Sequence, residues 1–152
     1  MSGSARHPDT GRDGVEILHA SCVAYQGQAV LLLGASGSGK SAFALQLMAL
    51  GAKLVADDRT ELRLVGDEVM ADVPAAIAGL IEARGVGILK AKPAGVTPVA
   101  MVIDMNRKET SRLPEPQSTV LLGQERPLLA AVGAPHFPAA VLQMLAQGRH
   151  AP

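Results

Sequence analysis

Aromatic side chains are almost missing from this 152-residue sequence: it has no Trp, one Tyr and two Phe. Single-stranded nucleic acid is held by stacking bases on aromatic faces, so a nucleic-acid partner of that kind is not expected. The core must be built from Leu, Val, Ile, Ala and Met instead. An excess of either charge is also missing, with 14 basic residues against 14 acidic ones. That balance argues against non-specific attraction to nucleic acid or to a membrane surface. Cysteine is reduced to Cys22, which excludes an intrachain disulfide framework and a Cys-rich zinc site. Cys22 reads as a small buried hydrophobe. No apolar run reaches the roughly 18 residues that span a bilayer. The start, "MSGSARHPDTGRDG", is polar and lacks the apolar centre of a signal peptide. The expected location is therefore cytoplasmic, with no membrane partner.

What is present is a large apolar fraction, 48% of the residues. A chain of this length buries roughly 70% of its unfolded surface and suits one domain. Residues 1–13 are expected to be a loose tail and residues 14–150 the domain. "VEILHASCVAY" reads as strand with a bend, and "QGQ" as a turn. "QAVLLLG" is a short apolar strand whose length suits a sheet buried on both faces. "GKSAFALQLMAL" places Phe43, Leu47 and Leu50 at helical spacing, with Gly51 as the stop. "AKLVADD" is a further buried strand ending in two acids. "TELRLVG" and "DEVMADV" form a hairpin around Gly66 and Asp67. Residues 74–98 read as a long loop-like region with short strands. "PVAMVID" is an apolar strand, and the charged, Pro-containing "NRKETSRLPEPQ" is expected to be an exposed loop. "STVLLG" and "RPLLAAVG" are candidate strands, and "PAAVLQMLAQG" a final helix. The mixture predicts an α/β fold.

The stretch "GASGSGKS" fits the phosphate-binding spacing G-x-x-x-x-G-K-[ST]. Its glycines let backbone N–H groups turn inward without Cβ clashes, and the helix that follows adds its positive end. Gly34, Ala35, Ser36, Gly37, Ser38 and Gly39 are thus the expected cradle. Lys40 can reach the β and γ phosphates, and the Ser41 hydroxyl can ligate Mg²⁺. A strand before and a helix after supply the context that the motif requires. This much means nucleotide binding and specifies no reaction.

Transfer of a phosphoryl group also needs charge neutralisation and a group to orient the nucleophile. The candidate acids are Asp57, Asp58, Glu82 and Asp104. Asp104 ends "VAMVID", a hydrophobic strand followed by Asp as in ordinary P-loop enzymes. Asp57 and Asp58 end the strand after the P-loop helix, and sites in parallel α/β sheets gather at such carboxyl ends. Adjacent carboxylates repel unless a cation intervenes, so one can serve the metal while the other accepts a hydroxyl proton. In "IEARGVGIL", Glu82 and Arg84 share a face if the run is extended, pairing a metal-binding acid with a phosphate-neutralising cation.

Taken in order, His19, "GASGSGKS", "LVADDR" and "IEARGVGI" resemble the catalytic domain of HPr kinase/phosphorylase. "IEARGVGI" is similar to that family's signature E-I-R-G-x-G-I, and "RLPEP" at 112–116 to a segment of short alphaproteobacterial members. The resemblance implies a P-loop in a mixed β-sheet with flanking helices, similar to phosphoenolpyruvate carboxykinase. It implies ATP and Mg²⁺ as cofactors, HPr as the protein substrate phosphorylated on serine, and a homo-oligomer, a hexamer in the family. The reverse reaction, phosphorolysis of the phosphoserine, belongs to the same family. Carried over, Asp57 is the general base, Asp58 lies near the metal, and Ser41 and Glu82 hold Mg²⁺. His19 and Arg84 line the site, and Arg112 matches an arginine used in the phosphorylase direction. Two positions depart from the pattern: Ala42 stands where Glu is frequent, and Ala83 where Ile is usual. The rival readings are a small-molecule kinase that uses Asp104 at the metal, with "NRKETSR" as its lid, and a non-catalytic nucleotide sensor.

Overall fold

A computed structural model of the chain describes residues 14–150. The expected tail over 1–13 lies outside the described residues. The main sheet is mixed and is organised around β9 (Thr97–Lys108), a strand long enough to serve several neighbours. On one edge of β9 runs β3 (Gln28–Leu33), parallel to it. The sheet continues through β2 (Ala20–Tyr25) to β4 (Lys53–Ala56), with β2 antiparallel to both β3 and β4. On its other side, β9 pairs first with β6 (Glu68–Asp72) and then, in parallel, with β11 (Gln124–Ala131). β5 (Thr60–Val65) joins β6 through the hairpin expected at Gly66 and Asp67, and β1 (Val15–Leu18) lies outside β5. β10 (Gln117–Leu121) pairs with β11, and β7 (Leu80–Ala83) with β8 (Gly87–Lys90) makes a separate hairpin.

The central strands are buried on both faces, as their unbroken apolar runs require. Val30 and Leu32 of β3 point to one side, and Ala29 and Leu31 to the other. The first side is covered by α1 (Lys40–Ala49) and α2 (Phe137–Gln147). Leu18, Leu62, Val69 and Ala71 cover the second side together with Leu121. Cys22 points into this second core, and its burial pushes the thiol well above its usual range, leaving it a small hydrophobe.

In α1 the buried positions are Lys40, Phe43, Ala44 and Leu47, the spacing of one helical face. Leu50 was expected on that face but is exposed, because the helix has already ended there. Leu50 and Gly51 donate to the carbonyls of Leu47 and Met48, and Gly51 takes a φ of 114° that favours glycine. The two phenylalanines meet as a stacked pair joining the helices, Phe43 against Phe137 with ring centroids 5.2 Å apart. Phe137→Ala is expected to cost about 3–5 kcal/mol in a denaturant titration, the range for deleting a buried ring.

A second expectation is corrected. "NRKETSRLPEPQ" does not begin as a loop: β9 carries Asn106, Arg107 and Lys108. The reason is tertiary, since β11 pairs with β9 as far as Ala131 opposite Lys108, across a register shift. Only residues 109–116 remain outside the strands.

Candidate active site

Three strand ends converge on one edge of the sheet. β3 delivers the loop Gly34–Gly39, and β4 delivers Asp57 and Asp58. β2 runs opposite to both, so its first residues lie at their carboxyl ends, with Ala20 opposite Leu33 and Cys22 opposite Ala56. His19, at the bend before β2, therefore reaches the same place. The upstream histidine and the acid pair, 39 positions apart, meet as His19 Nε2 and Asp58 Oδ1 at 2.6 Å.

The two acids face different ways. Asp57 is 7% exposed and its carboxylate is an acceptor for three donors. Oδ1 accepts the hydroxyls of Ser41 at 2.6 Å and Ser21 at 2.9 Å, and Oδ2 accepts the Glu82 N–H at 3.0 Å. A carboxylate has about four lone-pair sites, so one on Oδ2 remains for a further donor. The Asp58 side chain is 56% exposed and opens onto the cleft. Because its His19 partner is also 46% exposed, the pair positions groups and adds little to stability.

The cleft has a volume of about 660 Å³, within the range of small-ligand sites. The P-loop and the start of α1 form one wall, with Ser36, Gly37, Gly39, Lys40 and Ser41. Asp58 and the β7–β8 hairpin form the other, with Glu82 on β7 and Arg84 and Val86 in the turn. Ile81 anchors the hairpin in the core. The resemblance-derived metal set, Ser41, Asp58 and Glu82, is brought together in this one cleft. Arg112 is not: it lies between β9 and β10 and is absent from the cleft lining.

The P-loop is shaped for anions and is held from outside. Gly37 and Gly39 have φ of 83° and 99°, turning successive N–H groups as a phosphate nest requires. Lys40 is buried and parked on the loop itself, donating to the carbonyls of Gly34 at 2.8 Å and Ala35 at 3.2 Å. Among the described residues Ser38 Oγ is buried without a partner, and it packs against Gly34 outside the cleft lining. Among the described residues no three His, Cys, Asp or Glu side chains form a metal cluster by themselves. One or two carboxylates and a hydroxyl beside a phosphate cradle are instead the donor set of Mg²⁺ arriving with a nucleotide.

Sequence reading missed two residues. Asn106 Oδ1 accepts the Ala35 N–H at 3.1 Å, and Asp104 in turn accepts the Asn106 N–H at 3.0 Å. Asp104 lies opposite Leu33 in the parallel pairing, beside the root of the P-loop, yet the Ser41 hydroxyl goes to Asp57. The other is Ser21, whose only sequence signal is a hydroxyl inside the otherwise apolar run "ASCVAY".

Comparison with known proteins bears on the family and the fold. The profile of the HPr serine kinase C-terminal domain matches residues 14–109. HPr kinase/phosphorylase of Caldanaerobacter subterraneus subsp. tengcongensis is 47% identical over 76 residues, 49% of this chain and 25% of that protein. The protein of the same name from Alkaliphilus metalliredigens is 37% identical over 103 residues, 62% of this chain and 33% of that one. The matches thus span a quarter to a third of those relatives' lengths. The structure of the Hpr(Ser) kinase/phosphatase from Coxiella burnetii shares the fold, with a TM-score of 0.72 at 20% identity, covering 86% of this chain and 93% of that one. Residues 14–109 hold the P-loop, the acid pair and the β7–β8 hairpin within one continuous family match, and the chain belongs to the HPr serine kinase C-terminal domain family.

Proposed function

We propose that this chain is an ATP- and Mg²⁺-dependent protein kinase that phosphorylates a serine of HPr, acting in the cytoplasm in the regulation of phosphotransferase and carbon metabolism. The observation that carries this reading is the convergence of Ser41, Asp57, Asp58, Glu82 and Arg84 around one P-loop cleft. The loop N–H groups and Lys40 hold the ATP phosphates, for which Lys40 leaves the carbonyls of Gly34 and Ala35. Ser41 and Glu82, with Asp58 close by, would hold Mg²⁺, which would supply charge neutralisation at the phosphoryl oxygens. Arg84, on the opposite wall, adds a second positive charge there.

Asp57 is the base. It takes the proton of the seryl hydroxyl as the serine oxygen bonds to the γ-phosphorus and the bond to the ADP oxygen breaks. Were the Ser41 hydroxyl to serve Mg²⁺, Oδ1 of Asp57 would keep the Ser21 hydroxyl alone and would have a site open to the substrate. In the reverse direction the same carboxyl returns the proton while phosphate attacks the phosphoserine. The forward reaction is the one proposed, since Arg112 stands apart from the cleft. A homo-oligomer, a hexamer by family resemblance, would have to bring that arginine from elsewhere.

The direct test incubates the protein with HPr, ATP and Mg²⁺ and locates the phosphate by mass spectrometry. Acid-stable phosphoserine on HPr is expected. ATP binding without transfer to any acceptor would favour the nucleotide sensor. An Asp104→Asn variant separates the remaining rival. Its carboxylate is engaged by the Asn106 N–H, so transfer is expected to fall by less than about tenfold, the equivalent of ~1.4 kcal/mol. Severe loss of metal binding there, with Asp57 dispensable, would instead indicate a small-molecule kinase.

A further inference from the structure

We infer that Ser21 is a positioning residue for this reaction, acting through both acids and not on the substrate. The inference rests on the kinase reading for its consequence, while the contacts that carry it stand without it. Ser21 is fully buried in β2, and its hydroxyl works in both directions. It donates to Asp57 Oδ1 at 2.9 Å and accepts the N–H of Asp58 at 3.1 Å. One hydroxyl has one donor and two acceptor sites, so the two contacts are compatible.

The N–H that Ser21 holds belongs to a strained turn. Asp58 has a φ of 67°, and the Arg59 N–H reaches back to the Asp57 carbonyl at 2.7 Å. A bond from residue i+2 to residue i around a positive φ marks the rare, strained form of the γ-turn. Asp tolerates positive φ better than most residues, but such a conformation persists only where its surroundings over-determine it. Here the turn aims two consecutive carboxylates apart, Asp57 inward at Ser41 and Asp58 outward at His19 and the cleft. The Ser21 oxygen is the atom that touches both halves of that arrangement. Its neighbours Ala20, Cys22 and Val23 fill the core as apolar groups, so packing alone gives no reason for a hydroxyl here.

Ser21→Ala removes one oxygen without adding bulk. Transfer to HPr is expected to slow about 10- to 100-fold in kcat, the scale of a modest misplacement of catalytic groups. The KM for ATP is expected to stay within about threefold, since Ser21 does not line the cleft. In the same variant the Asp58 amide is expected to exchange with solvent at least about tenfold faster, while the Glu82 amide, still bound to Asp57 Oδ2, keeps its protection. Ser21→Thr restores the hydroxyl and should recover most of the rate. Transfer by Ser21→Ala within about twofold of the parent would overturn the inference. So would an unchanged Asp58 amide, or a loss of ATP affinity that matches the loss of rate. A parent protein that transfers nothing would defeat the kinase reading separately, and the Asp58 amide would still decide whether Ser21 clamps the turn.

Discussion

Asp57→Asn is expected to lose about 10²- to 10⁴-fold in phosphoryl transfer, the range that a positioned general base contributes. The substitution keeps the size of the side chain. An amide oxygen can still accept the Ser41 and Ser21 hydroxyls, but the amide nitrogen then meets the Glu82 N–H, donor against donor. That mismatch is expected to cost about 1–3 kcal/mol of stability, which a denaturant titration reads separately from the chemistry. ATP binding should hold to within about threefold, because Asp57 lies behind Ser41 and outside the cleft lining. Transfer at a tenth of the parent rate or better would remove Asp57 from the role of base. A parallel Asp58→Asn variant would then show whether the proton goes to the exposed acid beside His19.

The second large effect is expected at Gly34→Ala, and it acts on nucleotide binding. Gly34 has a φ of 154°, and a Cβ there would collide with Ser38 Oγ and lie 3.0 Å from Ser38 Cβ and 3.2 Å from Met105 Cβ. The Ser38 hydroxyl can rotate away, but the two Cβ atoms move only with the backbone. Relieving such overpacking costs about 1–3 kcal/mol, so ATP affinity should fall roughly 10- to 100-fold by calorimetry. Gly34→Ala with Ser38→Ala removes the closest clash and leaves the Cβ contacts, so recovery should be partial. Full recovery would place the whole effect on the Ser38 hydroxyl, and undiminished affinity in the single variant would show that the loop need not keep this shape.

Legibility in the sequence followed the range of the interactions. The P-loop, helix α1 and its stop at Gly51 are written in contiguous residues, because turn chemistry and a 3.6-residue period act over a few positions. The hairpin at Gly66 and the strands β10 and β11 were readable for the same reason. The end of β9 was not, since the charged residues Arg107 and Lys108 become strand only when β11 arrives beside them. Leu50 failed through a boundary of one residue, where the helix had already turned.

The site divides along the same line. The sequence by itself determined a phosphate loop with a lysine and a serine at its end, an acid pair closing a strand, and an acid and an arginine bracketing a glycine turn. Residue type and spacing suffice there, because each motif is local. Only the tertiary structure decided which acid the Ser41 hydroxyl touches. Asp104 lies within β9, adjacent and parallel to β3, and Asp57 follows β4, which lies beyond β2, yet the contact is with Asp57. Only the antiparallel insertion of β2 between β3 and β4 brings His19 and Ser21 to the acids, across 39 and 36 positions of chain. Strand order is set by pairing and burial over the whole sheet, and no window of sequence contains it.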